Sequence, residues 1–432
     1  MNKKSDLRLI IIAVLAVLIP ISLVAQNPTQ TVRGKVIDTD TKVGIPFANV
    51  VISNTDPLMG TTTDIDGNFK IEEVPVGRLH IKISYVGYEA INLPNILLIA
   101  GKEKVLTIEL KESFHQLEEV LIEGSAKNES SNEMALMSSK QLSVEESKRH
   151  AGAINDPARL VSSFAGVINE GTGNNDIIVR GNNPRFIQWR LEGIEIPNPN
   201  HFALEGLTGG PINALNSNLL ANSDFYTGAF APEYGNALSG IFDMRLRNGN
   251  NEKTEYNFTF GVLGTDFTAE GPFKENYNGS YLINYRYSTL ALLDGIGAVD
   301  FGGVPKYQDV NFKVFLPTEN AGVFSIFGLG GLSEINGEDT KEDNEDVILE
   351  EFVQNSELAV GGLNHFIPLG EKSYLKSTIS YSSTSSKYTE NRPYGTEAMK
   401  EFNNSRLDRN SLRFATTFNH KLNSRHQFQL GL

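Results

Sequence analysis

Two short stretches of the sequence carry residue types that can bind a metal. His115 and Glu118 form an H-x-x-E pair, a spacing that can place two zinc ligands on one turn of a helix. A zinc peptidase also needs a third ligand and a catalytic carboxylate in a closed core, and no other histidine is marked as that ligand. Asp64, Asp66 and Asn68 resemble half of a calcium loop, but Asp-Gly between two β runs predicts a hairpin turn. We therefore predict no metal, no cofactor and no enzymatic activity, with a secreted zinc metallopeptidase as the remote alternative.

The H-x-x-E pair lies in a segment with a second interpretation. Its aliphatic residues favour a strand over a helix, and polar residues follow it, so 113–145 is predicted to be a strand and a linker. A lone strand of this kind can pair with the sheet edge of another protein. Alternatively, it adds to a sheet of this chain. The predicted partner-contacting residues are Leu117, Glu118, Glu119, Val120, Leu121 and Ile122.

Composition restricts the class of protein. The chain has 432 residues and no cysteine, which excludes disulfides and cysteine-based metal sites. A formal net charge of −14 argues against non-specific nucleic-acid binding, which needs a basic surface. Lys3, Lys4 and Arg8 precede an apolar run, and a small-residue cleavage site precedes Gln26. This pattern predicts a signal peptide over 1–25 and an exported protein.

Residues 30–112 have the pattern of a small β-sandwich. Ile81, Ile83 and Tyr85 alternate with polar residues, and Gly, Pro, Asn and Asp separate short runs of this kind. We predict an antiparallel sandwich. The stretches RGKVIDTD, TTTDIDGNF and ISYVGYE resemble the carboxypeptidase regulatory-like domain. That resemblance implies an immunoglobulin-like fold without catalytic residues.

Residues 146–250 predict a small α+β domain. Asp156 and Pro157 mark the start of a short helix, LNSNLLAN is predicted helical, and the strand-like runs are separated by Gly, Asn and Pro loops. Arg190, Glu192 and Arg247 are poor core residues for a soluble domain. They suit a surface that faces polar walls.

This domain resembles the plug of TonB-dependent receptors, and its loops fit the Bacteroidetes branch of that family. Glu192 stands where the family usually has Asp. The motif residues that carry the resemblance are Arg180, Gly181, Glu192, Gly193, Gly228, Tyr234, Gly235 and Gly240. The resemblance extends to LEEVLIEG, which is similar to the TonB box.

The resemblance also implies where a solute would bind. By family analogy, the outward loops of the plug are 169–176 and 197–205, and ordinary loop solvation is the alternative for each residue. His201 by itself does not make a metal site. The predicted substrate-contacting residues are Asn174, Asn175, Asn198, Asn200, His201 and Phe202.

Residues 251–432 alternate between apolar and polar positions over long segments. Tyr281, Ile283 and Tyr285 share one face of such a segment. Eight or nine strands of a transmembrane β-barrel are predicted, with tyrosines at the membrane interfaces. The acidic stretch 337–351 is predicted to be a solvated loop. The family resemblance implies a nominal 22 strands around a plugged lumen, so we expect the sequence to stop within the barrel.

The function implied by the resemblance is TonB-dependent import of a scarce solute across the outer membrane. The solute class stays open among siderophore, glycan, peptide and cobalamin. The implied partners are TonB with its energising complex and outer-membrane lipid, and a surface lipoprotein is left open. The N-terminal sandwich is expected in the periplasm. The alternative is a signalling or surface-binding receptor without transport.

Overall fold

The structure of the chain, a computed structural model, describes most of the three predicted domains. The described residues are 28–113, 139–142, 156–169, 174–203, 209–261, 264–295, 304–341, 344–394, 398–423 and 425–432. The predicted signal peptide and the predicted partner strand 117–122 lie outside them. Among the described residues, no helix is both long enough and apolar enough to cross a membrane.

The N-terminal domain is a two-sheet sandwich. One sheet has the order β4-β1-β7 and the other β3-β2-β5-β6, and Val32, Val50 and Ile81 lie in the core between them. The predicted sandwich is confirmed, but β1 and β7 pair in parallel, so it is not wholly antiparallel. The strands are β1 (Thr29–Asp38), β2 (Asn49–Ile52), β3 (Met59–Thr62), β4 (Asn68–Pro75), β5 (Gly77–Ser84), β6 (Ile91–Leu98) and β7 (Lys104–Leu110).

The TDIDGNF stretch forms a turn. The Asp64 carboxylate accepts hydrogen bonds from the backbone N–H groups of Asp66 and Asn68 at 2.9 and 2.8 Å. Gly67 has a φ of 84°, a conformation that favours glycine. The predicted turn is confirmed, although it is not a hairpin, because β3 and β4 lie in different sheets.

The middle domain is built on a five-stranded sheet of order β12-β11-β16-β15-β8. Its single α-helix among the described residues, α1 (Pro157–Leu160), begins after Asp156, whose side chain accepts from Ala158 N. The predicted small α+β domain is confirmed. The strands are β8 (Ser139–Leu142), β9 (Val167–Ile168), β10 (Ile178–Val179), β11 (Ile187–Leu191), β12 (Ile194–Ile196), β13 (Asn200–His201), β14 (Ile212–Asn213), β15 (Ser223–Tyr226) and β16 (Gly240–Met244).

Two sequence predictions within this domain are wrong. Residues 139–142 lie in the predicted linker, yet they form β8, which pairs with β15 and buries Leu142. The segment LNSNLLAN is not an α-helix. It forms only a 3₁₀ turn over Ser217–Leu219, because Asn216 caps the turn and the chain is already extended at Leu220.

Among the described residues from 255 onward, nine strands form one antiparallel sheet, in sequential order from β17 to β25. We call it the wall sheet. It confirms the predicted number of strands. Of the acidic stretch, residues 337–341 and 344–351 form paired strand and not the predicted loop, as in the pairing of Glu338 with Glu351. The elements are β17 (Glu255–Gly261), β18 (Gly264–Pro272), β19 (Ser280–Tyr287), α2 (Thr289–Gly295), β20 (Lys306–Pro317), β21 (Val323–Lys341), β22 (Asn344–Pro368), β23 (Ser373–Tyr394), β24 (Ala398–Asn423) and β25 (His426–Gly431).

The two faces of the wall sheet have opposite polarity. Asp266, Asn284 and Asn311 are buried on the face that packs against the middle domain. On the other face, aromatic side chains lie in the open, with Tyr256 exposed by 70% and Phe414 by 58%. A sheet in a soluble protein has the reverse arrangement. An apolar outer face with a polar inner face is the arrangement of a transmembrane barrel wall.

Candidate functional site between the middle domain and the wall sheet

Glu192 occupies a tight turn that points into the wall sheet. Leu191 pairs with Ile194, so Glu192 and Gly193 form a two-residue connection between β11 and β12. Both residues have positive φ values, 56° and 89°. Two consecutive positive φ values match the turn type that suits the twist of a hairpin. The turn therefore presents the Glu192 side chain at the tip of the sheet.

The Glu192 carboxylate joins the middle domain to two wall strands. Its Oε1 accepts from Lys313 Nζ on β20 at 2.8 Å, and its Oε2 accepts from Asn364 Nδ2 on β22 at 2.9 Å. Oε1 also accepts from the backbone N–H of Leu246 at 2.8 Å. Burial by itself would raise the pKa of Glu192, but Lys313, the Leu246 N–H and Lys376 together outweigh it and hold that pKa below its ordinary value. Glu192 is thus ionised, and both of its carboxylate oxygens accept hydrogen bonds from the wall strands.

Two further ion pairs cross the same interface. Arg247, at the end of the middle domain, donates to both oxygens of Glu270 on β18 at 2.6 and 2.8 Å. This bidentate geometry is the strong form of an arginine–carboxylate pair. Arg413 on β24 lies 3.3 Å from Glu195 in a partly exposed pair, which contributes less. Charges predicted to face polar walls therefore do so at Glu192 and Arg247.

His201 contacts the wall through a buried polar group. Its Nε2 lies 3.1 Å from Asp309 Oδ2, which also accepts from Arg286 Nε at 2.7 Å. The His201 ring packs 5.0 Å from that of Tyr307. Burial lowers the pKa of His201, against the raising effect of Asp309, so the imidazole is neutral at pH 7. The geometry makes His201 an interdomain contact.

The motif residues of the middle domain gather at two places. Arg180 ends β10 with a φ of 52°, and its guanidinium lies 3.5 Å from where a β-carbon on Gly228 would stand. Tyr234 is buried, and its hydroxyl donates to Asp243 Oδ2 at 3.1 Å. Arg190 lies 5.1 Å from the centre of the Tyr234 ring. Arg180, Gly228 and Tyr234 therefore maintain the internal structure of this domain.

Gly240 is required by close packing. A β-carbon at this position would lie 2.9 Å from Ile187 Cδ1 and 3.1 Å from the Tyr226 carbonyl oxygen. Gly235 has open space around it, with no atom within 4 Å of such a β-carbon. Of the two glycines, only Gly240 is held by packing.

The predicted substrate-contacting residues are largely internal in the described structure. Asn175, Asn200, His201 and Phe202 are buried, whereas Asn174 and Asn198 are partly exposed. Asn175 Nδ2 donates to Asp156 Oδ2 at 2.6 Å and to Asn200 Oδ1 at 2.7 Å. These bonds tie the two outward loops together. Four of the six residues are therefore buried within the described structure, and contact of any of the six with a ligand stays a prediction.

Sequence reasoning missed the wall residues that complete the site. Asp309, Asn311 and Lys313 occupy every second position of β20 and all face the middle domain. The alternation was visible in the sequence, but it did not specify the partner of each polar residue. Those partners, such as Glu192 for Lys313, are 121 positions distant in the chain.

No group of three or more potential metal ligands occurs among the residues that the structure describes. His115, Glu118 and the rest of the partner strand fall outside those residues.

Comparison with known proteins gives one family match. Residues 32–122 match the CarboxypepD_reg-like domain. That range covers the sandwich and extends through the predicted partner strand.

The chain is also similar to a curated relative and to two solved structures. The chain is 28% identical over 156 residues to TonB-dependent receptor P39 of Formosa agariphila, covering 36% of this chain and 14% of that relative. The siderophore receptor PirA from Acinetobacter baumannii is 16% identical, with a TM-score of 0.38, over 66% of this chain and 45% of that one. The outer membrane transporter YddB from Escherichia coli is 10% identical, with a TM-score of 0.35, over 68% and 56%. At these TM-scores the structural likenesses carry no argument, and the chain spans only 14% of the length of the curated relative.

Proposed function

We propose that this chain imports a scarce solute across the outer membrane in a TonB-dependent manner. It carries a CarboxypepD_reg-like domain and is similar in sequence to a TonB-dependent receptor. The observation that carries the proposal is the polarity of the wall sheet, which is apolar outside and polar towards the middle domain. Lipid would cover the apolar face, and the middle domain would fill the lumen as a plug.

The interface between plug and wall suits a reversible closure. It combines ion pairs and amide hydrogen bonds, such as Glu192 with Lys313, with an apolar cluster to which the wall contributes Leu282, Phe327, Leu329, Leu358 and Val360. Water can replace polar contacts of this kind at much lower cost than it can solvate apolar ones. A plug held in this way can be displaced by a partner without unfolding the wall. The solute class stays open among siderophore, glycan, peptide and cobalamin.

The proposed TonB contact is the segment Leu117–Ile122. Two observations support it. The segment lies between the sandwich, which ends at β7, and β8, the edge strand of the plug sheet. A partner that pairs with this segment would therefore act directly on the plug. Its consecutive aliphatic residues, Val120, Leu121 and Ile122, also suit strand addition. The sandwich would lie in the periplasm with TonB.

Binding of the segment is tested with the peptide FHQLEEVLIEG, residues 114–124, and the purified periplasmic domain of TonB from the same organism. We expect saturable binding by calorimetry. Replacing Val120 by Pro should abolish it, because proline cannot donate to a strand ladder. Val120→Ala is the matched control and should keep most of the affinity. Equal binding of the Pro peptide would overturn strand pairing.

The role of the segment in cells is tested by photocrosslinking. A photoreactive residue at Leu121 should crosslink to TonB, whereas one at Val86, an exposed position of the sandwich, should not. The same experiment separates the rival interpretation that the strand belongs to the sandwich. In that case Leu121 would crosslink within the chain and give no TonB adduct.

A further inference from the structure

In the described part of the chain, the contacts between the sandwich and the wall sheet lie at one rim. The connections 273–279, 318–322 and 369–372 all lie at the same ends of the wall strands, and we call this edge the sandwich-side rim. Two separate groups of charged residues join the sandwich to this rim.

The first group lies at the start of the wall. Arg33 of β1 donates to the side chain of Asn250 at 2.6 Å and to Glu103 of the sandwich at 3.0 Å. Glu103, with a side chain exposed by 1%, also pairs with Lys253, just before β17. Lys102 pairs with Glu270 on β18, the carboxylate that already receives Arg247 from the plug. Sandwich, plug and wall therefore meet at Glu270.

The second group lies at the far side of the sheet. Lys421 of β24 is almost completely buried, and its Nζ lies 3.3 Å from Asp38, 2.7 Å from Asp40 and 3.1 Å from Glu112. All three carboxylates belong to the sandwich or its end. A buried ammonium needs such partners, because desolvation of an unpaired charge is costly. This contact is consequently a specific one.

The two groups are far apart around the wall. β18 is the second strand of the sheet and β24 is the eighth. Six strand spacings of about 4.8 Å place them roughly 30 Å apart along the arc. A sandwich of this length has a radius of gyration of about 12 Å and can span the chord between them. The sandwich thus crosses the sandwich-side rim from one side to the other.

We propose that the N-terminal sandwich is a strap across the mouth of the lumen, held at its two ends by the Glu270 group and the Lys421 group. The strap fixes the point at which the chain leaves the sandwich, since Ser113 N donates to Gly87 O at 2.7 Å and Glu112 is bound by Lys421. On the proposed import function, a solute that leaves the lumen at this rim passes only after one end is released.

The strap is tested by electron–electron distance measurements on the protein folded in outer-membrane vesicles. The chain lacks cysteine, so spin labels attach only to introduced cysteines. One is placed in the sandwich by Val86→Cys and the other in the rim by Glu371→Cys. We expect a single narrow distance distribution. The double variant Lys102→Glu with Lys421→Glu should lose it and give a broad one. Lys82→Glu, the same charge change on β5 outside both groups, should leave it narrow.

A charge swap separates a specific contact from general destabilisation. Lys421→Glu alone should broaden the distribution, and adding Asp40→Lys should restore most of the narrow component. A broad distribution in the unaltered protein, or a narrow one in the double variant, would overturn the strap. Neither readout involves TonB or a solute, so failure of the import proposal would leave these outcomes unchanged.

Discussion

At the scale of single residues, charged and polar side chains attach the middle domain to the wall. Glu192, Arg247 and His201 would each be costly in an ordinary core, and each finds its counter-group on the wall. The side chains that define the plug motif thus fall into two kinds. Gly240 and Tyr234 maintain the domain itself, whereas Glu192 binds it to the wall.

Replacing Glu192 by Gln should weaken the attachment of the plug. The change leaves Lys313 buried without its counter-charge, which typically costs about 3–5 kcal/mol. Trp189 is the chain's single tryptophan and lies in the plug core, so its fluorescence reports the state of that core. We expect its urea midpoint to fall by roughly 1–2 M. Glu195→Gln, at a partly exposed pair, is the control and should shift it by less than about a quarter of that.

The pairing of Glu192 with Lys313 also predicts how the stability of the plug depends on pH. Its folded pKa is held below 4.5, the ordinary value, so its contribution to stability is fully present above pH 4.5. That contribution is lost as pH falls through the folded pKa. The Trp189 unfolding midpoint of the unaltered protein should therefore drop below pH 4.5 more steeply than that of Glu192→Gln. Parallel pH curves for the two proteins would contradict the assignment.

Alanine substitutions at the two motif glycines, Gly240 and Gly235, should have different effects on the stability of the plug. Gly240→Ala places a β-carbon 2.9 Å from Ile187 Cδ1 and should destabilise the plug by about 1–3 kcal/mol. Gly235→Ala meets no atom within 4 Å and should change the stability by less than about 0.5 kcal/mol. Urea unfolding followed at Trp189 measures both. Similar losses would show that packing is not what distinguishes these positions.

At the scale of elements, strand polarity separates this wall from a soluble sheet. β19 places Asn284 inside a hydrogen-bond network with Asp266 and Thr268, while Ile283 is half exposed on the other face. The same sequence alternation would be compatible with a sandwich. In the wall sheet, protein covers the polar residues of the pattern, whereas in a soluble sandwich it would cover the apolar ones.

A charge on the outer face should therefore block membrane assembly. Ile283→Arg places a guanidinium against lipid, at a cost of about 2–4 kcal/mol near the bilayer midplane. We expect reduced folding into lipid vesicles, measured as loss of the heat-modifiable gel band. Ile283→Leu keeps the apolar surface and should fold as the unaltered protein does. Full folding of the Arg variant would argue for a water-facing sheet.

At the scale of the whole molecule, three parts meet through polar contacts around Glu270. The plug contributes Arg247, the sandwich Lys102, and the wall the carboxylate itself. Backbone strand pairing holds the wall together, whereas the plug attaches to it by side-chain contacts, both ion pairs such as Glu192 with Lys313 and apolar contacts with residues such as Phe327 and Leu329. The parts should therefore separate before the wall unfolds.

In urea, we expect two transitions. Trp189 fluorescence should change at a lower concentration than the circular dichroism of the wall strands, because ordered backbone pairing in lipid has no competing water. A single coincident transition would mean that plug and wall fold as one cooperative unit.

The sequence by itself determined the order of the domains, the β-sandwich, the alternating wall strands, the glycine-containing turns and the helix start at Asp156–Pro157. Each of these depends on residues that are close in the chain. It also determined that charges such as Glu192 needed polar surroundings. Only the tertiary structure decided that β1 pairs in parallel with β7 and that residues 139–142 join the plug sheet. It likewise decided that Asn175 and His201 face inward and that Lys421 binds a domain 383 positions away. The physical reason is that local patterning sets which face a residue occupies, whereas the partner across that face is chosen by chain packing over long distances.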